Sequence, residues 1–297
     1  MKFLLAIGSK DFSGDTLHIG SQIALAFSAH LSIVYVGSKP KDLYLNRVKQ
    51  AQENLEKWEI YHPGIDVLKW AFNKLKDTGF IKSKNSNDFN PANILESSGR
   101  YKMILPSTYG QKIDLILREG DLIEELRSEF FKEKYSIGII GGSKERNRSK
   151  DILQFLPSSI FITNNFKIGK KYKILLCVDD SKATKNAVKF AIIIAKKLNL
   201  DVSLITVSKT KTFKDGYKNA VKNAVKILKK EKINFTQEFV FGDPVSSFVK
   251  YANDDHIIIM GDSSKTILRK FLFGSKSLAT LKKANSPILI VRNENDT

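Results

Sequence analysis

The chain has one cysteine and four histidines in 297 residues. The single thiol, Cys177, excludes an intramolecular disulfide framework and any metal site built from several cysteines. No uninterrupted apolar run reaches the roughly 20 residues that a membrane-spanning helix needs. The apolar stretch at the N-terminus is shorter than the core of a signal peptide. We therefore predict a cytoplasmic protein without a membrane span.

Acidic residues are outnumbered, since 31 Asp and Glu stand against 49 Lys and Arg, for a net charge of +18. From Lys170 onward there are 25 basic and 12 acidic residues, so the excess lies mainly there. A basic surface favours an anionic partner, but lysines spaced like Lys222, Lys226 and Lys229 more often solvate a helix face. The aromatic residues are not interleaved with basic ones, which makes nucleic acid an unlikely partner.

The sequence repeats itself at an offset of 171 residues. Residues 3–7 align with 174–178, and each copy reads as an apolar strand, a polar turn, a helix and a second apolar strand. Such continuously apolar strands are typical of parallel sheets buried on both faces. The fold class predicted is α/β, with two tandem doubly wound, Rossmann-like domains, at residues 1–165 and 171–297.

Later in each copy an apolar strand ends at a Gly-Asp pair, Gly120-Asp121 or Gly242-Asp243. Because the pair recurs in both copies, we predict a structural turn. For Asp180, which follows the first strand of the second copy, we predict a helix cap. Cys177, within an apolar strand, is predicted to be an inert core thiol.

The first copy differs from the second by one insertion and one deletion. About 49 additional residues follow its second strand, and the segment from Lys82 to Lys112, rich in Asn, Ser, Gly and Pro, predicts a long loop. Ten residues are missing between Gly141 and the last strand. The first copy is therefore predicted to be a degenerate domain with a long insert.

The segment from Gly261 to Ser275 is the best candidate in the sequence for a ligand-binding site. It follows a strand end, where open α/β sheets bind ligands, and Gly274-Ser275 opens a helix whose free amides suit an anion. A loop followed by a capped helix without a ligand is the alternative. The phosphate-binding pattern G-x-x-x-x-G-K-[ST] is absent, which argues against a kinase-like site.

These residues resemble the universal stress protein family. The resemblance rests on Ile258 to Gly261, Gly274-Ser275, Ser286 to Val291 and the opening strand with Asp179, and it makes the chain a tandem two-domain member. The nucleotide-binding branch of the family carries G-x2-G-x9-G-[ST]. This chain has serine in place of the second glycine, at Ser264.

The resemblance implies that ATP, with or without Mg2+, is contacted by eight residues: Asp179, Val207, Met260, Gly261, Ser264, Gly274, Ser275 and Lys276. Asp179 would lie at the adenine and ribose end, and Val207 would contact the base through its backbone. Met260 and Gly261 would line the nucleotide, and the remaining residues would surround the phosphates. The first copy has Gly8 in place of Asp179 and lacks the Gly274-Ser275 element, so it is not expected to bind ATP.

Two functions follow as hypotheses. The first is a stress-associated regulatory protein that binds an adenine nucleotide in its second domain, with at most slow hydrolysis because no nucleophile, base and acid occur together. The alternative is a nucleotide-free scaffold that binds a protein partner through the insert, and Ser264 favours it. The family further implies that strands at Phe161-Ile162 and Leu289-Ile290 pair as a pseudo-dimer, and a homodimer of the chain is compatible with this.

Overall fold

The computed structural model describes residues 1–37, 64–83, 89–90, 94–97, 99–142, 158–262, 279–280 and 283–292. In the first copy these residues form β1 (Lys2–Ile7), α1 (Lys10–Ala26), β2 (His30–Gly37), α2 (Ile65–Asp77), β3 (Leu95–Ser97), β4 (Arg100–Pro106), β5 (Lys112–Glu119), α3 (Leu122–Glu133), β6 (Ile137–Ile140) and β7 (Ser159–Ile162). In the second copy they form β8 (Lys173–Cys177), α4 (Lys182–Leu198), β9 (Val202–Ser208), α5 (Asp215–Lys230), β10 (Phe235–Phe241), α6 (Pro244–Ala252), β11 (His256–Gly261) and β12 (Ile288–Val291).

The twelve strands of the described residues lie in one sheet, in the order β10-β9-β8-β11-β12-β7-β6-β1-β2-β5-β4-β3. Within each copy the five repeated strands are parallel, and the first strand has the second on one side and the fourth on the other. The α/β fold class with a mostly parallel sheet is therefore confirmed. The boundaries at residues 165 and 171 stay a prediction, since both copies share one sheet.

Helices cover both faces of the sheet. Alternate side chains of β1 show the division, because Phe3 and Leu5 belong to the core beneath α1 and α4, whereas Leu4 packs with Phe130 of α3. In the second copy α6 takes the place of α3, with Phe248 in that second core. No described helix combines the length and apolar composition that crossing a membrane requires.

The two copies meet where β7 and β12 pair in antiparallel orientation. Phe161 lies opposite Leu289, and Ile160 lies opposite Ile290. This confirms the predicted pairing of the two final strands. Above the junction α1 contacts α4, and the rings of Phe27 and Phe190 stand edge to face with centroids 4.9 Å apart.

The repeated Gly-Asp pair has the structural role predicted for it. Gly120 and Gly242 have φ angles of 147° and 144°, which favour a residue without a Cβ. The Asp121 carboxylate accepts hydrogen bonds from the amides of Ile123 and Glu124 at the start of α3, and Asp243 accepts one from the Ser246 amide at the start of α6. Each pair therefore ends a strand and caps the next helix.

The segment from Lys82 to Lys112 is not simply a long loop, so that prediction was wrong for part of its length. Arg100–Pro106 forms β4, which pairs antiparallel with β5, and Leu95–Ser97 adds β3 beyond it. Met103 and Leu105 alternate with exposed residues and are buried in the core. The insert thus extends the edge of the first copy.

A buried ionic cluster joins this extension to α3. Glu129 is fully buried and accepts hydrogen bonds from Arg100 at 2.6 and 3.0 Å, from Arg118 at 3.2 Å and from the Tyr135 hydroxyl at 3.1 Å. Burial disfavours the charged form of Arg100, but the hydrogen bond and the charge of Glu129 outweigh burial and raise its pKa. The cluster therefore ties a helix to two strands through groups that are costly to leave unpaired.

We predict that Glu129→Ala lowers the free energy of unfolding by about 3 kcal/mol, because it leaves two buried guanidinium groups without their shared carboxylate. Urea denaturation followed by circular dichroism measures the change. Glu124→Ala removes an exposed carboxylate from the same helix and should cost less than about 1 kcal/mol. Equal effects of the two substitutions would contradict a stabilising role for the buried cluster.

Candidate functional site

A crevice opens over the carboxyl end of β8. The pairing of β8 with β9 ends at Cys177 opposite Ile205, and its pairing with β11 ends at Cys177 opposite Met260. Both neighbouring strands continue past that point, to Ser208 and Gly261. The strand order reverses here, since β9 lies on one side of β8 and β11 on the other, and such a switch point is where open α/β sheets bind ligands.

One pocket occupies this crevice. Its lining comes from the ends of β8, β9 and β11 and from one face of α6: Cys177, Val178, Asp179, Val207, Pro244, Phe248, Met260 and Gly261. Four of the eight predicted site residues, Asp179, Val207, Met260 and Gly261, therefore lie together. The other four, Ser264, Gly274, Ser275 and Lys276, lie outside the described residues.

Two backbone carbonyl groups point into the crevice. The Gly242 amide donates to the Ser208 carbonyl, so even-numbered residues of β9 face β10 and the carbonyl of Val207 faces the β8 side. On β11 the Asp262 amide donates to Val291 of β12, so the carbonyl of Gly261 also faces β8. Because the pairing with β8 has ended, these acceptors flank the space above its last residue.

Asp179 joins the pocket to the start of α4. Its Oδ1 atom accepts a hydrogen bond from the Ser181 amide at 3.0 Å and from the Thr184 hydroxyl at 2.6 Å. Both hydrogen bonds use Oδ1, and no hydrogen bond to Oδ2 is found among the described residues. The carboxylate is thus fixed by one oxygen while the other is available to a ligand.

The prediction that Asp180 caps this helix was wrong. The N-cap position belongs to Ser181, and the carboxylate that holds the first turn is that of Asp179. Asp180 instead lies against α5: a Cβ placed on Gly216 of that helix would be 3.1 Å from the Cβ of Asp180. Of two adjacent carboxylates, one therefore lines the pocket and the other packs toward a helix.

Gly261 is required by packing as well as by its place in the crevice. A Cβ at this position would lie 2.7 Å from the carbonyl carbon of Ala183 and 2.8 Å from the amide nitrogen of Thr184. These are backbone atoms in the first turn of α4, which cannot yield as a flexible side chain would. The glycine lets that turn sit directly on the end of β11.

The sequence analysis did not assign four lining residues to the site: Cys177 and Val178 at the end of β8, and Pro244 and Phe248 on α6. The two residues on α6 stand four positions apart, so they share a helix face. The Gly242-Asp243 turn that starts the helix was visible in the sequence, and it could have placed this face against the crevice. Because both side chains are apolar, the sequence alone predicts that they belong to the hydrophobic core.

Other titratable groups stand apart from the pocket or are inert. Burial raises the pKa of the Cys177 thiol, which keeps it protonated and agrees with the predicted core role. His256 begins β11, at the opposite end from the crevice, and contacts Asp255 and Ser203. Among the described residues, no three His, Cys, Asp or Glu side chains are grouped so as to hold a metal ion.

Comparison with known proteins identifies the family. A profile of the universal stress protein family matches residues 172–292. A universal stress protein of Methanocaldococcus jannaschii is 32% identical over 125 residues, which cover 41% of this chain and 77% of that protein. The chain belongs to the universal stress protein family.

Solved structures extend the likeness to both copies. The structure of a putative universal stress protein of Pseudomonas aeruginosa covers 100% of this chain and 95% of its own, with a TM-score of 0.62 and 14% identity. A universal stress protein of Archaeoglobus fulgidus covers 97% of this chain and 98% of its own, with a TM-score of 0.58 and 15% identity. Identities this low show the fold alone, and that fold spans the whole chain.

The first copy of this universal stress protein lacks the carboxylate of the second. Gly8 occupies the position that corresponds to Asp179, and its amide donates to the Ser13 hydroxyl at 2.9 Å. That hydroxyl comes from α1, so the start of the helix is held without an acidic side chain. The ten-residue deletion falls within residues 143–157, which lie outside the described residues.

We predict that Gly261→Ala lowers the free energy of unfolding by about 1–3 kcal/mol, because the new methyl group would overlap backbone atoms of α4. Gly14→Ala is the matched control, since a Cβ there meets nothing within 4 Å and alanine favours a helix by about 1 kcal/mol. Urea denaturation of both variants measures the changes. An unchanged midpoint for Gly261→Ala would show that α4 does not depend on this contact.

Proposed function

We propose that this universal stress protein is a regulatory protein that binds an adenine nucleotide, ATP, in its second copy. The observation that carries the proposal is the convergence of Asp179, Val207, Met260 and Gly261 on one pocket at the switch point of the sheet. These residues come from three different strand ends. Their assignment to a nucleotide rested on the motif resemblance, and their grouping in space supports it independently.

The pocket has the character that an adenine ring requires. Val207, Phe248 and Met260 supply apolar surface for the two faces of the base. The carbonyl groups of Val207 and Gly261 supply acceptors for its exocyclic amino group. The ring would therefore lie over the end of β8, between β9 and β11.

The ribose and phosphates would extend from the base toward the segment that follows β11. Oδ2 of Asp179 can accept a hydrogen bond from a ribose hydroxyl while Oδ1 continues to hold α4. The amides of Gly274, Ser275 and Lys276 would donate to phosphate oxygens, and the net positive charge of the second half favours an anion. Magnesium, if present, would arrive coordinated by the phosphates.

The competing function is a nucleotide-free scaffold that binds a protein partner. Ser264 favours it, because its Cβ stands where the family motif has a glycine beside the phosphates. Denaturing freshly purified protein and identifying the released nucleotide by chromatography separates the two functions. About one adenine nucleotide per chain supports binding; a protein that is empty and is not stabilised thermally by added Mg-ATP supports the scaffold.

We predict that Asp179→Asn weakens ATP binding about tenfold to a hundredfold, because it replaces the acceptor Oδ2 by a donor and removes a charge-assisted hydrogen bond. The substitution keeps Oδ1, so α4 retains its hydrogen bonds. Isothermal titration calorimetry measures the affinity.

Two matched controls accompany this variant. Asp180→Asn neutralises the adjacent carboxylate, which faces α5, and should leave the affinity within about twofold. Gly8→Asp adds the carboxylate to the first copy and should create no second site. A loss of affinity with Asp180→Asn equal to that with Asp179→Asn would assign the effect to general charge instead of a ribose contact.

We further predict that Ser264→Gly tightens ATP binding about tenfold, because it removes the side chain that departs from the family motif. The same titration checks this, with Ser263→Gly as a control for added loop freedom. Identical affinities of Ser264→Gly and the parent protein would place Ser264 away from the phosphates.

A further inference from the structure

The edge strand β10 presents backbone groups on the outside of the sheet that pair with no other described strand. Because even-numbered residues of β10 face β9, the amides and carbonyls of Phe235, Gln237, Phe239 and Phe241 point outward. Within the described residues β10 pairs only with β9. Seven residues of strand thus form a template to which another strand can add.

The first copy shows what covers the equivalent edge. There β5 is the counterpart of β10, and its outward-facing residues Ile113, Leu115 and Leu117 pair with β4 in antiparallel orientation. These side chains are 0–3% exposed. The repeat therefore provides, within the same chain, an example of this edge with an antiparallel strand added.

In the second copy two phenylalanines whose backbone groups face outward keep their side chains in solvent. Phe239 is 40% exposed and Phe241 is 56% exposed, and both contact Phe213, with ring centroids 4.8 and 5.1 Å away. The three rings form an aromatic cluster on the α5 face of the edge. An edge strand is normally protected by charged residues, so exposed phenylalanines along it indicate a surface that binds a partner.

The charge around the cluster indicates the chemistry of that partner. Exposed Lys209, Lys211 and Lys214 surround Phe213 along the chain, and α5 continues with exposed lysines. Two copies of this chain, each with a net charge of +18, would repel one another if they paired through β10. An acidic segment would instead be attracted to these lysines.

We propose that β10 binds an extended segment of another protein, which adds to the sheet as an antiparallel strand and carries alternating apolar and acidic side chains. The backbone of the segment would pair with the outward-facing groups of β10. Its apolar side chains would cover Phe213, Phe239 and Phe241, and its acidic side chains would lie near the lysines. None of these aromatic residues lines the crevice over β8, so the proposal does not rest on nucleotide binding.

The test is fluorescence anisotropy with a fluorescein-labelled peptide of nine residues in which Glu and Val alternate, titrated with the full chain. A peptide of the same composition with its Glu residues grouped together is the control for charge, and a Lys-Val alternating peptide is the control for sequence pattern. We expect saturable binding of the Glu-Val peptide alone, weakened about threefold or more as salt rises from about 50 to about 200 mM.

A pair of variants at one exposed position tests the strand addition. Gln237→Pro removes an outward-facing amide, leaves the bonds to β9, and should weaken binding about tenfold. Gln237→Thr keeps that amide in a residue suited to strands and should bind within about twofold of the parent. Thermal unfolding and ATP titration of both variants show whether the fold and the crevice are intact.

Three results would overturn the proposal. One is equal binding of the grouped and alternating Glu peptides, which would indicate charge attraction alone. A second is unchanged binding by a folded Gln237→Pro variant. The third is a dimer of the parent chain in sedimentation analysis that Gln237→Pro converts to monomer, because the occupant of the edge would then be a second copy.

Discussion

The antiparallel pairing of β7 with β12 is the contact that organises the molecule. Each strand is a short apolar run, Ser159–Ile162 and Ile288–Val291, in which every residue is buried. Neither run could stand at a solvent-exposed edge without exposing both its side chains and its backbone. Pairing them makes one sheet of two, and it also sets α1 of one copy against α4 of the other.

The junction leaves each copy one outer edge, and the two edges have diverged. In the first copy the insert adds β4 and β3, and the ionic cluster around Glu129 holds this extension to α3. In the second copy the corresponding edge, β10, carries exposed phenylalanines. The frame is therefore extended by two further strands on one side and ends, among the described residues, at β10 on the other.

Much of this arrangement could be predicted from the sequence because its signals are local. Buried parallel strands such as Ile137–Ile140 are continuous apolar runs, and the Gly-Asp turns combine a positive φ angle with a helix cap. β4 was not predicted because the contact that holds it is distant in sequence. Arg100 of β4 pairs with Glu129, which lies beyond β5 on α3. The composition of this segment, rich in Asn and Gly, indicates a loop, and it carries no sign of the contact with Glu129.

Some residues of the candidate site could likewise be predicted from the sequence, and others could not. Asp179, Val207, Met260 and Gly261 follow or end apolar strands, so their position at the carboxyl edge was predictable from the strands themselves. Phe248 was not, because the crossing of α6 over the strand ends depends on tertiary packing. The assignment of Asp180 as a cap failed because adjacent carboxylates after a strand point to opposite sides, and the sequence alone does not specify which one meets the helix.

The residues that form the crevice also hold its frame. Oδ1 of Asp179 fixes the first turn of α4, and Gly261 allows that same turn to rest on the end of β11. A ligand that engaged Oδ2 and the carbonyl of Gly261 would therefore contact groups whose positions are already set by the fold, and little ordering would remain to oppose binding. The first copy keeps the glycine, at Gly141, but not the carboxylate, and among the described residues a Cβ on Gly141 would meet only the Thr16 hydroxyl, at 3.3 Å. The start of the helix at this place in the fold is therefore held by a carboxylate in one copy and by a hydroxyl in the other, so the two copies share an architecture although the residues around the strand ends differ.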